Sequence, residues 1–206
     1  MSRLNASFIL GYHGCSEEVG LSVLRGDQKL APSDKSYDWL GPGVYFWEGD
    51  PVRAYEWAIA KKNIEKPFVL GAVIDLGNCL DLMARENHEI LKNAHRFLST
   101  ASSRGNRELP INVEGRRNLD CAVIKTVHFL TEKNQDGADS GAAKDLGSFD
   151  TVRGLFEEGQ PLYPGSGFRE KTHTQIAVVN DDCIKGYFIP RYRSEAELKA
   201  WPVGAE

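Results

Sequence analysis

Two short stretches carry most of the side chains able to do chemistry: Tyr12-His13-Gly14-Cys15-Ser16 and Gly41-Pro42-Gly43-Val44-Tyr45-Phe46. The histidine brings a ring that can both donate and accept a hydrogen bond. The glycine brings backbone amide groups that a bound molecule can approach closely, because no Cβ stands in the way. The tyrosine brings an aromatic face able to stack on a cationic ring, a contact worth about 0.5 to 2 kcal/mol depending on desolvation. A carboxylate aimed at developing positive charge would complete such a site, since pre-aimed electrostatics is usually the largest catalytic contribution. Taken singly, a histidine after a strand is usually a satisfied polar residue and a tyrosine in a strand is usually core. The ordered set His-Gly-x-Ser followed by Gly-x-Gly-Val-Tyr-Phe raises them above that background.

The elements that position these residues follow from local pattern. Phe8 to Tyr12 reads as a short buried strand, and Glu17 to Arg25 as a helix capped by Ser16, facing inward with Val19, Val23 and Leu24 and stopped by Gly26. Ala31 to Tyr37 is loop chemistry, and the glycines around Pro42 turn the chain into a strand from Val44 to Trp47. Asp50 and Pro51 stand at N-cap and N1 of a helix bearing Val52, Tyr55 and Ala58 on one side. Phe68 to Leu76 is an apolar, partly β-branched strand ended by Gly77-Asn78. Asp81 is placed as the cap of a helix in which Met83, Ile90, Leu91, Ala94, Phe97 and Leu98 recur at helical spacing, and Asp120 precedes another helix through Val123, Val127 and Leu130. The Gly-, Asp- and Lys-rich stretch between Thr131 and Phe149 reads as a mobile loop. Thr174 to Val179 and Ile184 to Ile189 are strands joined by Asn180-Asp181-Asp182, predicted to form a C-terminal hairpin. The order predicts an α+β fold with an antiparallel-rich sheet, because no phosphate-cradling glycine loop follows the first strand.

A chain of 206 residues with a net charge of -4 predicts one compact domain, 1-206, and argues against a broad basic surface for undirected nucleic-acid binding. Lys61-Lys62, Arg116-Arg117 and Arg191 with Arg193 are local basic clusters, more often solvated faces than sites. Cys15, Cys79, Cys121 and Cys183 are far apart, with no CxxC pair and no histidine at ligand spacing, so neither a metal site nor a disulfide frame is expected. The first residues never build the apolar run of a signal peptide or membrane span, and a cytoplasmic protein with no membrane partner is the expectation.

The His13-Gly14 pair leaving a strand and the glycine-flanked Val44-Tyr45-Phe46 strand one helix later resemble the NAD-binding core of ADP-ribosyltransferases of the poly(ADP-ribose) polymerase, or diphtheria-toxin, type. The resemblance covers roughly the first sixty residues and the last thirty-five. It implies a split antiparallel β-sheet core with a helical insertion at about 81-150, and NAD as substrate with no metal. By the same resemblance His13 hydrogen-bonds the adenosine ribose, Gly14 offers its backbone to the nicotinamide carboxamide, and Tyr45 stacks on the nicotinamide ring. Ser16, Arg53 and Tyr55 join the expected NAD-binding set, Arg53 toward the pyrophosphate and Tyr55, or else Trp57, as a second aromatic face.

The chain departs from that family where a strand-opening glutamate would stand, because Gln175 occupies the place and gives an H-Y-Q triad of His13, Tyr45 and Gln175. An amide carries no charge and cannot act as a general base. At about 4 Å and an effective dielectric near 20, a lost carboxylate charge is of order 4 kcal/mol. Glu48, Glu157, Glu158 and Glu170 are the candidate replacements, Arg153 is a candidate phosphate contact, and His173 shares the strand face of Gln175. The resemblance therefore implies a mono-ADP-ribosyltransferase acting on a macromolecular acceptor, protein favoured over nucleic acid by the acidic balance. It is the kind of small effector found among bacterial toxins, with an antitoxin partner, and phage-defence proteins. A catalytically silent NAD- or ADP-ribose-binding module and an NAD glycohydrolase are the alternatives, and RNA 2′-phosphotransfer trails because no arginine lies next to His13.

Overall fold

A computed structural model describes residues 8–113, 115–135 and 147–191. It is a mixed α+β structure built on one seven-stranded, mostly antiparallel sheet with four helices. The strands and helices in chain order are β1 (Phe8–Ser16), α1 (Glu17–Arg25), β2 (Val44–Glu48), α2 (Pro51–Ala60), β3 (Pro67–Asp75), β4 (Cys79–Asp81), α3 (His88–Arg104), β5 (Asn112–Val113), β6 (Arg116–Arg117), α4 (Asn118–Gln135), β7 (Thr151–Phe156), β8 (His173–Val178) and β9 (Ile184–Phe188). The large sheet runs β4-β7-β8-β2-β1-β3-β9, and β5 and β6 form a separate small hairpin. Among the described strands only the β4–β7 pair is parallel.

Period-two alternation sorts the sheet into two faces. On one, Val44 and Phe46 of β2 and Ile176 and Val178 of β8 pack with Cys15 of β1, with Leu70, Ala72 and Ile74 of β3, and with Val23 of α1. The opposite face carries helices. Over β2, β7 and β8, Ala177 and Val152 pack with Ala94 of α3 and Ile124 and Val127 of α4. Over β1 and β3, Val69 packs with Ala54 and Tyr55 of α2 and with Trp47. The helix ends obey the capping chemistry of the sequence: Ser16 Oγ accepts from the Val19 N–H, Gly26 ends α1 in the left-handed region at φ 79°, and Asp50 accepts from the Arg53 N–H.

The predicted C-terminal hairpin is not formed. β8 pairs with β2 and β7, whereas β9 pairs with β3 at the far edge of the sheet. The connection is a short 3-10 turn at Asp181–Cys183 instead of a hairpin turn, and the buried Cys183 carries it along the inner core. Asp150 anchors its start, its carbonyl accepting from the Val179 and Asn180 N–H groups and its carboxylate from the Asn180 side-chain amide. Asp81 does not cap a helix. It ends β4 and accepts from the Met83 N–H at 2.9 Å, and α3 begins only at His88. The loop expected from Thr131 starts later, since α4 continues to Gln135, and Phe149 is buried; the intervening 136–146 lie outside the described residues. β7 was not anticipated as a strand.

One close approach fixes α2 against the sheet. A Cβ at Gly14 would lie 2.2 Å from the Ala54 carbonyl oxygen, so the α2 backbone rests directly on β1. Gly14→Ala is therefore expected to destabilise the protein by about 1–3 kcal/mol or more in denaturant titration, the cost of overpacking against an unyielding backbone. Gly186→Ala, whose Cβ would meet nothing within 4 Å, should stay within about 0.5 kcal/mol of the parent.

Candidate functional site

Strands β1 and β2 pair only through Gly11 and Tyr12, opposite Glu48 and Trp47, whereas β1 stays paired with β3 through Ser16. The Leu10 carbonyl accepts from the Gly49 N–H at 2.9 Å, which sets the alternation: the amide groups of residues 10, 12 and 14 point toward β2. Continued register would set Gly14 opposite Tyr45. Instead the Tyr45 carbonyl accepts a hydrogen bond from His13 Nδ1 at 2.8 Å, and the sheet forks. The Gly14 N–H and C=O consequently face the fork with no strand partner there. Because a carbonyl only accepts, His13 carries its proton on Nδ1 and keeps a lone pair on Nε2. Burial against groups such as the Phe46 ring, 5.7 Å away, lowers its pKa and keeps it neutral.

A cavity of about 820 Å³ opens over this fork, within the usual range for small-molecule and cofactor sites. His13, Gly14, Tyr45 and Gln175 all line it. The Tyr45 ring lies on the same strand face as Trp47 and opposite Ala177, and its hydroxyl donates to the Gly41 carbonyl at 2.8 Å and accepts from the Leu40 N–H at 3.1 Å. The phenol therefore ties the 38–43 loop to the floor of the cleft, and burial raises its pKa. Gly41 takes φ 78° to make that turn. Gln175 sits beside Trp47 in register, its Oε1 accepting from the Trp39 indole N–H at 2.7 Å.

The remaining candidates divide. Arg53 and Glu158 both line the cavity but hold each other: Arg53 Nη2 donates to both Glu158 oxygens at 2.6 and 2.7 Å, and Nε to Oε2 at 3.2 Å. Arg53 is thus not a free pyrophosphate ligand, and Glu158 is not a free acid. Glu157, an exposed side chain, lines the cavity 3.9 Å from Arg169. Glu48 and Arg153 point to the other face of the sheet, where Arg153 makes a two-pronged bond to Glu48 at 2.6 and 2.9 Å and a third to Asp81 at 2.9 Å. Strand alternation, one residue out of step with Tyr45 and Trp47, removes Glu48 from the cleft. Glu170 accepts weakly from the Gln160 N–H and lies on the exposed surface. Ser16 is occupied as a helix cap, and Tyr55 packs into the core beside Trp47, so the aromatic wall from α2 is Trp57.

His173 is buried, not solvent-facing. Its Nδ1 donates to the Lys171 carbonyl at 2.6 Å, its ring lies between Trp47 and Phe156, and Nε2 has no hydrogen-bond partner among the described residues. Arg117 and Lys61, read from sequence as solvated charges, line the cavity, Arg117 over the Phe156 ring at 5.1 Å and Lys61 over Trp57 at 4.6 Å. Arg193 lies outside the described residues. Trp39, Trp47 and Phe156 were missed. The signal for Trp47 was available in its two-residue spacing from Tyr45, and for Trp39 in a large apolar pair, Trp39-Leu40, inside an otherwise polar loop.

Among the described residues there is no group of three or more His, Cys, Asp or Glu side chains that could hold a metal ion, and no helix long and apolar enough to cross a membrane. No protein-family model matches the chain, and no curated protein matches its sequence.

Three histidines contribute to the acid response. Burial lowers the pKa of His13, His128 and His173, so between the ordinary value of about 6.5 and the lower folded values the unfolded chain binds protons that the folded chain does not. Their contribution to stability is fully present above about pH 6.5 and is lost as pH falls below it toward the lower folded values. Urea titrations at pH 7.5 and 5.5 should show this decline, and His128→Leu, which removes one such group and a buried Nε2 without a partner among the described residues, should make it shallower.

Proposed function

We propose that the chain is an NAD-dependent mono-ADP-ribosyltransferase that moves ADP-ribose to a macromolecular acceptor. The observation that supports this best is the fork between β1 and β2, with His13, Gly14, Tyr45 and Gln175 gathered around one cavity. In this reading the nicotinamide carboxamide meets the unpartnered N–H and C=O of Gly14, a donor and an acceptor matching its own acceptor and donor. The Tyr45 ring lies against the pyridinium and Trp57 closes the other side. The His13 Nε2 lone pair accepts from a ribose hydroxyl. Acceptor chemistry stops at one ADP-ribose unit, because the uncharged Gln175 does not activate a ribose hydroxyl for elongation.

A second reading, a silent module that binds NAD or ADP-ribose, is favoured by a specific feature: position 175 is an amide, and the nearby Glu158 is neutralised by Arg53. Free nicotinamide released from NAD by the purified protein, with and without cell lysate, separates the readings. Lysate-dependent release that His13→Ala abolishes is the expected outcome. Lysate-independent release would indicate a glycohydrolase, and NAD binding without release would leave the silent module. Neither binding nor release would overturn the NAD reading altogether.

Two substitutions sharpen this. Gln175→Glu restores a charge worth of order 4 kcal/mol at short range in a partly shielded site, and nicotinamide release should rise by at least about tenfold. Tyr45→Phe keeps the ring but frees the Gly41 carbonyl and Leu40 N–H, so it should lower NAD affinity less than Tyr45→Ala in a calorimetric titration.

A further inference from the structure

We infer that Trp39 is a positioning residue that fixes the hydrogen-bond polarity of the cleft at position 175, so that Gln175 donates to, and does not accept from, whatever molecule lies against it. An indole N–H is a donor only, and a primary amide has one accepting and one donating end. With Oε1 held by Trp39 at 2.7 Å, the NH2 group is the end left for the cavity, and it has no hydrogen-bond partner among the described residues. The flipped amide would set two donors against each other and lose the bond.

The anchor is itself held. Trp39 lies over Gly154, the cross-strand neighbour of Gln175, where an added Cβ would come within 2.7 Å of the indole ring. The Phe156 ring packs against it at 5.2 Å. The next two residues, Leu40 and Gly41, are pinned through their backbone to the Tyr45 hydroxyl. A side chain so fixed chooses one amide orientation before any ligand arrives, and the group it selects is an oxygen or other lone-pair atom of the ligand. This deepens the NAD reading by naming what residue 175 offers, while the Trp39–Gln175 contact itself exists with or without that reading.

The test uses the full chain labelled with ¹⁵N. The Trp39 indole resonance, assigned through its contact with Phe156, should move when Gln175 becomes Leu. In Gln175→Glu it should follow a carboxyl titration that the parent protein lacks. An indole signal indifferent to both substitutions would overturn the proposal. The second arm takes NAD as the probe in calorimetry. Trp39→Phe should weaken binding by about two- to tenfold in the parent, the loss of one neutral hydrogen bond, and by nothing further in a Gln175→Leu background. Additive losses would mean that Trp39 acts through contacts of its own and would overturn its positioning role. If no variant binds NAD, the NAD reading fails, and the indole spectra still decide the polarity of position 175.

Discussion

The hydrogen bond from His13 Nδ1 to the Tyr45 carbonyl is the contact on which the site depends. Buried backbone groups have to be paired, and the ordinary partner for that carbonyl would be the Gly14 N–H, one step along the β1–β2 ladder. By taking the carbonyl with a side chain, the chain ends the ladder without leaving it unsatisfied on the β2 side. The fork then follows from geometry. Gly14 turns its amide groups into the gap, α2 settles on the bare Gly14 backbone, and the two halves of the sheet carry different helices on the same face: α2 over β1 and β3, α3 and α4 over β2, β8 and β7. The cavity lies over the fork, with α2 on one side and the 31–39 loop and the β5–β6 hairpin among its other walls. The imidazole does this as a neutral donor, and burial, which lowers its pKa, keeps it in that form.

Much of this was legible in short-range pattern. Helix α1 and its caps, the Asp50-Pro51 start of α2, and the strands containing Tyr45 and Gln175 were readable because caps, turn glycines and alternation are local. The C-terminal hairpin was misread for the complementary reason. Asn180-Asp181-Asp182 is good turn chemistry, but whether a turn folds two strands together or carries the chain across a core depends on partners far away, here Asp150 and the pocket for Cys183. β7 was hidden because Arg153 and Gly154 break its apolar alternation. The arginine is satisfied by two carboxylates, and the glycine makes room for Trp39, and neither reason is visible within the strand.

The charged candidates show the same limit more sharply. Glu48 follows Tyr45 by three residues and so points to the opposite face, which alternation alone could have decided. Arg53 and Glu158 are separated by 105 positions, and only the tertiary fold reveals that each is the other's partner. Sequence could mark both as able to serve the site. It could not show that they neutralise each other.

That pairing determines what kind of electrostatics the cleft can supply. A two-pronged guanidinium–carboxylate contact at 2.6 and 2.7 Å is among the stronger hydrogen-bonded pairs, and removing Glu158 from it to meet a ligand would leave Arg53, largely buried, with only Glu56 at 3.6 Å as a more distant counter-charge. Glu158 therefore stays with Arg53. At the Gln175 end, the Trp39 indole holds the one accepting atom. The groups closest to the fork are thus dipoles, namely the Gly14 amides, the His13 Nε2 lone pair and the Gln175 NH2, and their orientations are fixed by bonds made on their far sides. Fixed dipoles of this kind suit a polar, uncharged or weakly charged fragment better than a strongly charged one. Position 175 supplies no charge and Glu158 is neutralised by Arg53, which leaves Asp38 and Glu157, among the described residues, as the remaining carboxylates on the cavity wall.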